Sequence, residues 1–209
     1  MSARRMSAAL LAIAVVVTIA TRLWLNMDEH GTSLGAALWR LLRFFTIWTN
    51  ALIAVTGFAI ALGRPVDGRV TAGLLLAIAA VGIVYHTLLS GMTHYAGLEA
   101  VVDDSLHTLV PLWFALHWLA FEPKARLGWR DIPLWLGYPA VYCVYALIRG
   151  GMDGRYPYFF LDPVRQGPGG LVFWILALLA AFALGGVVIV LVARLLSSRQ
   201  EAQAAPGSK

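Results

Sequence analysis

A threonine and a histidine in this chain have surroundings that suit nucleophilic chemistry. Thr46 lies in the stretch RFFTIWTN, and His107 lies in the stretch DDSLHTLVP. A threonine hydroxyl becomes a nucleophile when a neighbouring base takes its proton, and histidine suits that task near neutral pH. The alternative is structural, because threonine in an apolar helix commonly bonds back to its own helix carbonyls. The local sequence leaves both interpretations open.

Two carboxylates precede the histidine. Asp103 and Asp104 lie four and three residues before His107, so on a helix either carboxylate reaches the imidazole. A carboxylate bonded to one ring nitrogen fixes the tautomer and leaves the other nitrogen free to act as a base. Pro111 removes the N–H that would bond the His107 carbonyl, which loosens the helix beside the histidine. Helix capping by Asp103 or Asp104 is the plainer interpretation.

The elements that must hold these residues are membrane helices. The 209 residues are 60% hydrophobic and 13% charged, with a mean hydropathy of +0.75, whereas a soluble domain carries roughly 25% charge. A helix that crosses a bilayer needs about 20 apolar residues. We predict an all-α, polytopic membrane helix bundle with one domain, residues 1–196, and a disordered cytoplasmic tail, residues 197–209. The six predicted transmembrane helices are residues 7–25, 44–62, 70–90, 106–121, 133–149 and 171–192.

The distribution of charge predicts the orientation. Ten of the 16 Lys and Arg residues fall on one side of the predicted spans, and most of the acidic residues fall on the other. Basic residues favour the cytoplasmic side, so we expect a cell-membrane protein with both termini in the cytoplasm. This asymmetry accounts for the net charge of +5 without a nucleic-acid partner. The first span could instead be a signal peptide, although its apolar run resumes after Arg22 and no AxA site stands at the end of the run, Thr18–Arg22.

This topology brings further polar residues to the depth of Thr46 and His107. Spans two and four run in the same direction, so both residues lie near the outer face. His86 lies near the outer end of span three and is a supporting candidate. Asn50 follows Thr46 by one helical turn, and either Asn50 or a loop N–H could donate to an oxyanion. Arg43 precedes Thr46 by one turn and could hold a carboxylate head group.

An aromatic stripe on span five offers two interpretations. Tyr138, Tyr142, Tyr145 and Arg149 recur at spacings of four, three and four residues, which places them on one helix face. They either pack against a neighbouring helix or, from Tyr142 onward, form one wall of a pocket for an amphiphile. The following loop, RYPYFFLDP, contributes Tyr156 and Tyr158, and it either covers such a pocket or anchors the loop at the interface.

Three stretches together resemble a known family. RFFTIWTN, DDSLHTLVP and YPYFFLD occur in this order at the outer ends of spans two, four and six. The set resembles the bacterial branch of the androgen-induced-protein-like family of six-span membrane proteins. Its animal members hydrolyse fatty acid esters of hydroxy fatty acids with a threonine nucleophile and a histidine. The threonine context matches Phe44-Phe45-Thr46, and the histidine context matches the run from His107 to Pro111.

The resemblance implies acyl transfer from a lipid ester to Thr46, with His107 as the base and no cofactor. The expected partners are the bilayer and a membrane lipid or amphiphilic ester. Three other functions stay open. His86 and His107 could ligate a b-type haem, or His86, His94, His107 and an aspartate could bind zinc. The chain could also be a scaffold or transporter without catalysis.

Overall fold

The chain folds almost entirely into helices. The computed structural model describes residues 1–92, 94–124 and 126–204, with side chains to residue 198, and every regular element in these ranges is helical, as predicted. The α-helices are α1 Ala3–His30, α2 Leu34–Leu41, α3 Phe45–Ala61, α4 Gly68–Val84, α5 Gly97–Asp104, α6 Val110–Phe121, α7 Asp131–Asp153 and α8 Pro163–Ala204. Two π-helical turns, Tyr85–Leu89 and Ser105–Leu109, extend α4 and join α5 to α6. A short 3₁₀ turn, Phe159–Leu161, precedes α8.

Several of these helices are long and apolar enough to cross a membrane. Four pass by length and composition, namely Ala3–His30, Gly68–Leu89, Asp131–Asp153 and Pro163–Ser198. A fifth follows if α2 and α3, which meet at a bend of 100°, count as one span. Within the described residues, four or five helices could therefore cross a membrane by length and composition, and the predicted number of six spans is not confirmed. The predicted fourth span does form a helix, but His107, Thr108 and His117 lower its hydropathy.

The bend between α2 and α3 determines where Thr46 lies. Helix α3 begins at Phe45, so Thr46 occupies its first turn. Phe44, at the N-cap position, makes no side-chain capping bond. The Tyr158 hydroxyl accepts a hydrogen bond from the Phe45 N–H at 3.0 Å instead. The loop before α8 thus does the capping that Ser or Asp usually does at a helix start.

The aromatic stripe of α7 holds this bend in place. The Tyr142 hydroxyl donates to the Arg43 carbonyl at 2.6 Å, and the Tyr145 hydroxyl donates to the Leu42 carbonyl at 2.9 Å. Farther along α3, the Thr49 and Tyr138 hydroxyls lie 3.1 Å apart. The bonds from Tyr142 and Tyr145 satisfy carbonyls that the end of α2 leaves without helical partners. The stripe therefore binds backbone at the bend beside Thr46.

Small residues bring α1 and α3 close together. A Cβ added at Gly57 would lie 2.9 Å from the Ala8 carbonyl oxygen and 3.0 Å from the Ala12 Cβ. Both alanines are fully buried. Small residues let helix backbones approach closely, which is how apolar helices gain packing energy in lipid. Helix α1 therefore supports α3 along its length, and α3 in turn packs on α4.

A polar cluster ties α1 to the end of α6, at the end of the bundle away from Thr46. Glu122 accepts two hydrogen bonds from the Arg4 guanidinium, at 2.9 and 3.2 Å, and its Oε1 lies 3.2 Å from His117 Nε2. The other His117 nitrogen lies 3.0 Å from the Ser7 hydroxyl. Burial raises the pKa of Glu122, but the hydrogen bonds from His117 and Arg4 outweigh it and lower that pKa.

Replacing Glu122 with glutamine is expected to destabilise the fold. The neutral amide cannot accept every bond that the carboxylate accepts, and an unsatisfied buried group costs about 1–3 kcal/mol. Arg4 is partly exposed, so water screens its share of the loss. The thermal unfolding midpoint in detergent should fall for Glu122→Gln and stay unchanged for Glu29→Gln, because Glu29 is exposed. Equal midpoints for wild type and Glu122→Gln would contradict a stabilising role.

Helix α8 is longer than the hydropathy pattern predicted. Its helical geometry is interrupted at Gly167, which has φ 65°, and Pro168 follows. Proline cannot continue a backbone hydrogen-bond ladder, so the break lies where the sequence supplies both residues. The helix extends to Ala204, beyond residue 196, which was the predicted end of the domain. The last part of the predicted tail, residues 205–209, lies outside the described residues.

Candidate active site

Thr46 and His107 are in contact. The Thr46 Oγ1 and His107 Nε2 atoms lie 3.3 Å apart, although 61 residues separate them in the chain. Thr46 comes from the first turn of α3 and His107 from the π-helical turn before α6. A hydroxyl at this distance from an imidazole nitrogen has the arrangement of a nucleophile and its base. The structure thus brings together two residues that were predicted to lie at similar depth.

The other nitrogen of His107 faces two acceptors. His107 Nδ1 lies 2.9 Å from the Asp103 carbonyl oxygen and 3.3 Å from Asp103 Oδ1. Since both partners only accept, Nδ1 carries the proton and Nε2 presents its lone pair to Thr46. Of the two carboxylates that the sequence allowed, Asp103 is the one that contacts His107, whereas Asp104 is exposed.

Tyr85 completes the support of the histidine. Its hydroxyl donates to Asp103 Oδ2, and its ring stacks on the His107 imidazole with centroids 4.0 Å apart and planes 13° apart. Burial raises the pKa of Asp103, but hydrogen bonds from His107 and Tyr85 outweigh it, so that pKa lies below its usual value. The carboxylate therefore stays ionised where it fixes the imidazole tautomer.

The π-helical turn Ser105–Leu109 is favoured by its own sequence and by contact with α4. Pro111 follows His107 by four residues and has no N–H for the His107 carbonyl, as the sequence predicted. Gly82 of α4 lies so close that an added Cβ would come within 3.2 Å of that carbonyl oxygen. Turns of this kind are frequent at functional sites. Here the turn determines the direction in which the imidazole points.

Asn50 holds α3 against this turn. Its Nδ2 donates to the Thr46 carbonyl at 2.8 Å and approaches the Leu106 carbonyl at 3.5 Å. The residue is fully buried. Both amide protons are thus directed at backbone carbonyls, so the expectation that Asn50 donates to an oxyanion is not supported. Its contacts fit a role in positioning Thr46.

Two cavities meet at Thr46 and His107. The first, which we name the apolar cavity, has a volume of about 250 Å³ and lies among α4, α7 and α8. The second, which we name the vestibule, has a volume of about 260 Å³ and contains the polar groups of Arg22, Tyr85, Tyr95 and Asp103. Thr46, His107, Leu89 and Tyr158 line both cavities. The nucleophile and base therefore lie between an apolar chamber and one whose largely apolar walls also carry polar groups.

The predicted substrate-binding residues divide into two groups. Tyr142 lines the apolar cavity, and Tyr158 lines both cavities. The remaining four line neither cavity, namely Arg43, Tyr145, Arg149 and Tyr156.

Each of these four side chains has a protein partner instead. Arg43 forms a two-pronged ion pair with Asp153, at 2.6 and 3.3 Å, so it is not free to hold a head group. Arg149 lies over the Trp39 ring at 4.0 Å and donates to the Tyr145 hydroxyl at 2.6 Å. The Tyr156 ring lies against Gly150, where an added Cβ would collide with it.

Arg22 is the cation of the vestibule, and sequence reasoning did not find it. It donates to the Tyr95 hydroxyl at 3.0 Å and lies 4.0 Å from Glu99. Tyr85 was also missed. Arg22 lies in α1 and Tyr85 in the turn after α4, so neither has a local spacing that relates it to Thr46 or His107. The available signal was depth, since both lie near the same predicted outer face.

His86 and His107, which were proposed as haem or zinc ligands, each have protein partners. His86 Nε2 lies 2.9 Å from the Thr108 hydroxyl, and His86 lines neither cavity. The Tyr85 ring covers one face of His107. Across the described part of the chain, no three His, Cys, Asp or Glu side chains are grouped to hold a metal ion. The zinc and haem alternatives therefore find no support in the geometry.

Comparisons with known proteins add no assignment. The chain matches no family model, no curated protein and no solved structure.

Proposed function

We propose that the chain is an integral membrane hydrolase that cleaves fatty acid esters, with Thr46 as nucleophile and His107 as base. The single observation that carries the proposal is the 3.3 Å contact between Thr46 Oγ1 and His107 Nε2, in an imidazole whose Nδ1 lies 2.9 Å from the Asp103 carbonyl oxygen. The resemblance to the androgen-induced-protein-like family points to the same pair. With it we propose six spans, location in the cell membrane and both termini in the cytoplasm.

The chemistry follows from the orientation of His107. His107 Nε2 takes the Thr46 proton while Thr46 Oγ1 forms a bond to the ester carbonyl carbon. The tetrahedral intermediate collapses, the alcohol oxygen leaves, and the imidazolium returns the proton to that oxygen. A water molecule then attacks the acyl-threonine with His107 again as the base, which releases the fatty acid. Asp103 stays ionised throughout and stabilises the imidazolium.

The two cavities suit an ester with one long acyl chain. Thr46 lies at the junction, so an ester carbonyl held there directs its acyl chain into the apolar cavity and its alcohol part into the vestibule. The walls of the apolar cavity include Val81, Cys143 and Phe182. Apolar burial of about 0.8 kcal/mol per methylene makes long acyl chains the better substrates.

The test of the function is turnover by purified protein in detergent or lipid nanodiscs. Fluorogenic esters with acyl chains of different length and esters of hydroxy fatty acids are offered, and a fluorophosphonate probe reports the nucleophile. The proposal requires hydrolysis and covalent labelling at Thr46. Hydrolysis that proceeds unchanged with labelling at another residue, or no hydrolysis of any ester, contradicts it.

Filling the apolar cavity is expected to change the preferred chain length. Cys143 lines this cavity on α7, and Cys143→Phe shortens the space for an acyl chain. Excluding two methylenes costs about 1.6 kcal/mol of burial, which lowers kcat/KM for 16-carbon esters roughly tenfold. Esters of acetate and butyrate should be hydrolysed at the wild-type rate. The ratio of kcat/KM values for the two chain lengths is the measurement.

A neighbouring residue supplies the control for this change. Val141 is 69% exposed and does not line the cavity, so Val141→Phe adds the same ring without entering the acyl space. Its chain-length ratio should equal that of wild type. If Cys143→Phe slowed short and long esters equally, the apolar cavity would not be the acyl site.

A further inference from the structure

The proposed reaction leaves one group unassigned, the donor that stabilises the oxyanion. Negative charge develops on the carbonyl oxygen as Thr46 attacks, and positioned hydrogen-bond donors supply much of the stabilisation in such reactions. Asn50 directs its amide protons to the carbonyls of Thr46 and Leu106. The hydroxyl groups around Thr46 are other side-chain donors that line the two cavities.

Four tyrosines line the two cavities. Tyr95 lines the vestibule alone and accepts a hydrogen bond from Arg22, and two of the other three donate to acceptors. Tyr85 donates to Asp103, and Tyr142 donates to the Arg43 carbonyl at 2.6 Å. Tyr158 differs from both, because its oxygen accepts a hydrogen bond from the Phe45 N–H at 3.0 Å. Among the hydrogen bonds of the described residues, Tyr158 is an acceptor and its own proton has no protein acceptor.

The Tyr158 hydroxyl lies beside the residues of the proposed reaction. The residue lines the apolar cavity and the vestibule, as Thr46 and His107 do. Its hydroxyl is bonded to the residue next to Thr46, at the start of α3. The ring is held by stacking on Phe160, with centroids 5.0 Å apart and planes 13° apart. A free O–H is thus fixed beside the nucleophile.

Two electrostatic effects favour donation from this hydroxyl. An oxygen that accepts from a backbone N–H at a helix start sits in the positive field of the helix, which strengthens its own O–H as a donor. Burial raises the pKa of Tyr158 above its usual value. The phenol therefore keeps its proton at neutral pH.

We propose that the Tyr158 hydroxyl is the oxyanion donor of the Thr46 reaction. The inference rests on the proposed ester hydrolysis and adds a catalytic residue to it. As the Thr46 Oγ1 bond to carbon forms, the carbonyl π electrons move onto the oxygen, and Tyr158 donates a hydrogen bond to it. When the intermediate collapses, those electrons reform the carbonyl, and the Tyr158 proton never leaves its oxygen.

The decisive variant is Tyr158→Phe, which removes the hydroxyl and keeps the ring. Loss of one oxyanion donor lowers kcat by about 10²- to 10³-fold, with little change in KM. Affinity for a long-chain trifluoromethyl ketone, whose adduct carries the oxyanion, should fall by the same factor. Affinity for a non-hydrolysable ether of the same chain length should stay at the wild-type value.

A matched variant separates this role from helix capping. Tyr145→Phe also removes a hydroxyl that bonds the α2–α3 bend, at the Leu42 carbonyl, but Tyr145 lines neither cavity. It should retain wild-type kcat. Active sites are counted by fluorophosphonate titration, so that unfolded protein does not lower the apparent kcat of either variant.

The outcomes distinguish failure of this inference from failure of the proposed function. Wild type that hydrolyses esters and labels at Thr46, with an unchanged kcat per titrated site in Tyr158→Phe, overturns the role of Tyr158 alone. Equal loss of affinity for the ketone and the ether also overturns it, because that pattern indicates a purely structural role. Absence of hydrolysis and labelling in wild type overturns both proposals.

Discussion

Replacing Thr46 with alanine is expected to abolish ester hydrolysis and covalent labelling by a fluorophosphonate. Alanine removes the hydroxyl that lies 3.3 Å from His107 Nε2, so no acyl-enzyme forms. Loss of a nucleophile that acts as a unit with its base lowers kcat by at least about 10³-fold. Thr46→Ser keeps a hydroxyl and should retain labelling. Mass spectrometry of the labelled peptide and turnover per mole of folded protein are the measurements.

Thr49 offers the matched control for this change. It lies one turn along the same helix, is fully buried and bonds the Tyr138 hydroxyl. Thr49→Ala therefore removes the same atoms from α3 without touching His107, and it should lower the unfolding midpoint while leaving labelling intact. Full labelling of Thr46→Ala would refute Thr46 as the nucleophile.

Much of the fold could be predicted from hydropathy, because long apolar stretches have few alternatives to helices in a bilayer. The helix at Gly97–Asp104 was missed, as was α2, and both fell within predicted loops. Three acidic residues lower the hydropathy of Gly97–Asp104, whereas α2 is mostly apolar but only eight residues long. The structure supports those polar groups by contacts between helices, as when Tyr85 bonds Asp103, and hydropathy does not record such contacts.

The candidate site could be predicted only in part. Thr46 and His107 were paired by depth, which follows from the order of the spans. The partner of Arg43 could not be predicted, since Asp153 lies 110 residues away and no spacing relates them. The same holds for the two sides of Tyr158, whose oxygen caps α3 while its ring lines both cavities. Contacts of this kind depend on how separate helices pack.

Removing the imidazole at position 107 is the second change with a large expected effect. His107→Ala takes away the base that accepts the Thr46 proton, and general-base catalysis contributes about 10²- to 10⁴-fold. The kcat of His107→Ala should fall within this range with KM nearly unchanged. His86→Ala is the control, because His86 bonds Thr108 and lines neither cavity. Wild-type kcat in His107→Ala would exclude His107 as the base.

Replacing Asp103 is expected to lower kcat through its effect on His107. Asp103→Asn keeps the backbone carbonyl that bonds His107 Nδ1 at 2.9 Å, so the productive tautomer is only partly lost. A charged hydrogen bond contributes about 1.5–3 kcal/mol, which predicts a fall in kcat of about 10- to 100-fold. Because Asp103 acts through His107, Asp103→Asn should lower kcat no further when His107 is already alanine. Multiplicative losses in the double variant would mean that Asp103 acts on the reaction independently.

The pH dependence of stability provides a separate measurement of the same contact. The pKa of Asp103 is lower in the folded protein than in the unfolded chain, so its ionised form stabilises the fold above about pH 4. That contribution is lost as the pH falls through the folded-state value. Wild type should therefore unfold at a higher temperature than Asp103→Asn at pH 7, and the difference should vanish in strong acid. A difference that persisted unchanged in strong acid would show that the carboxylate charge is not what holds His107.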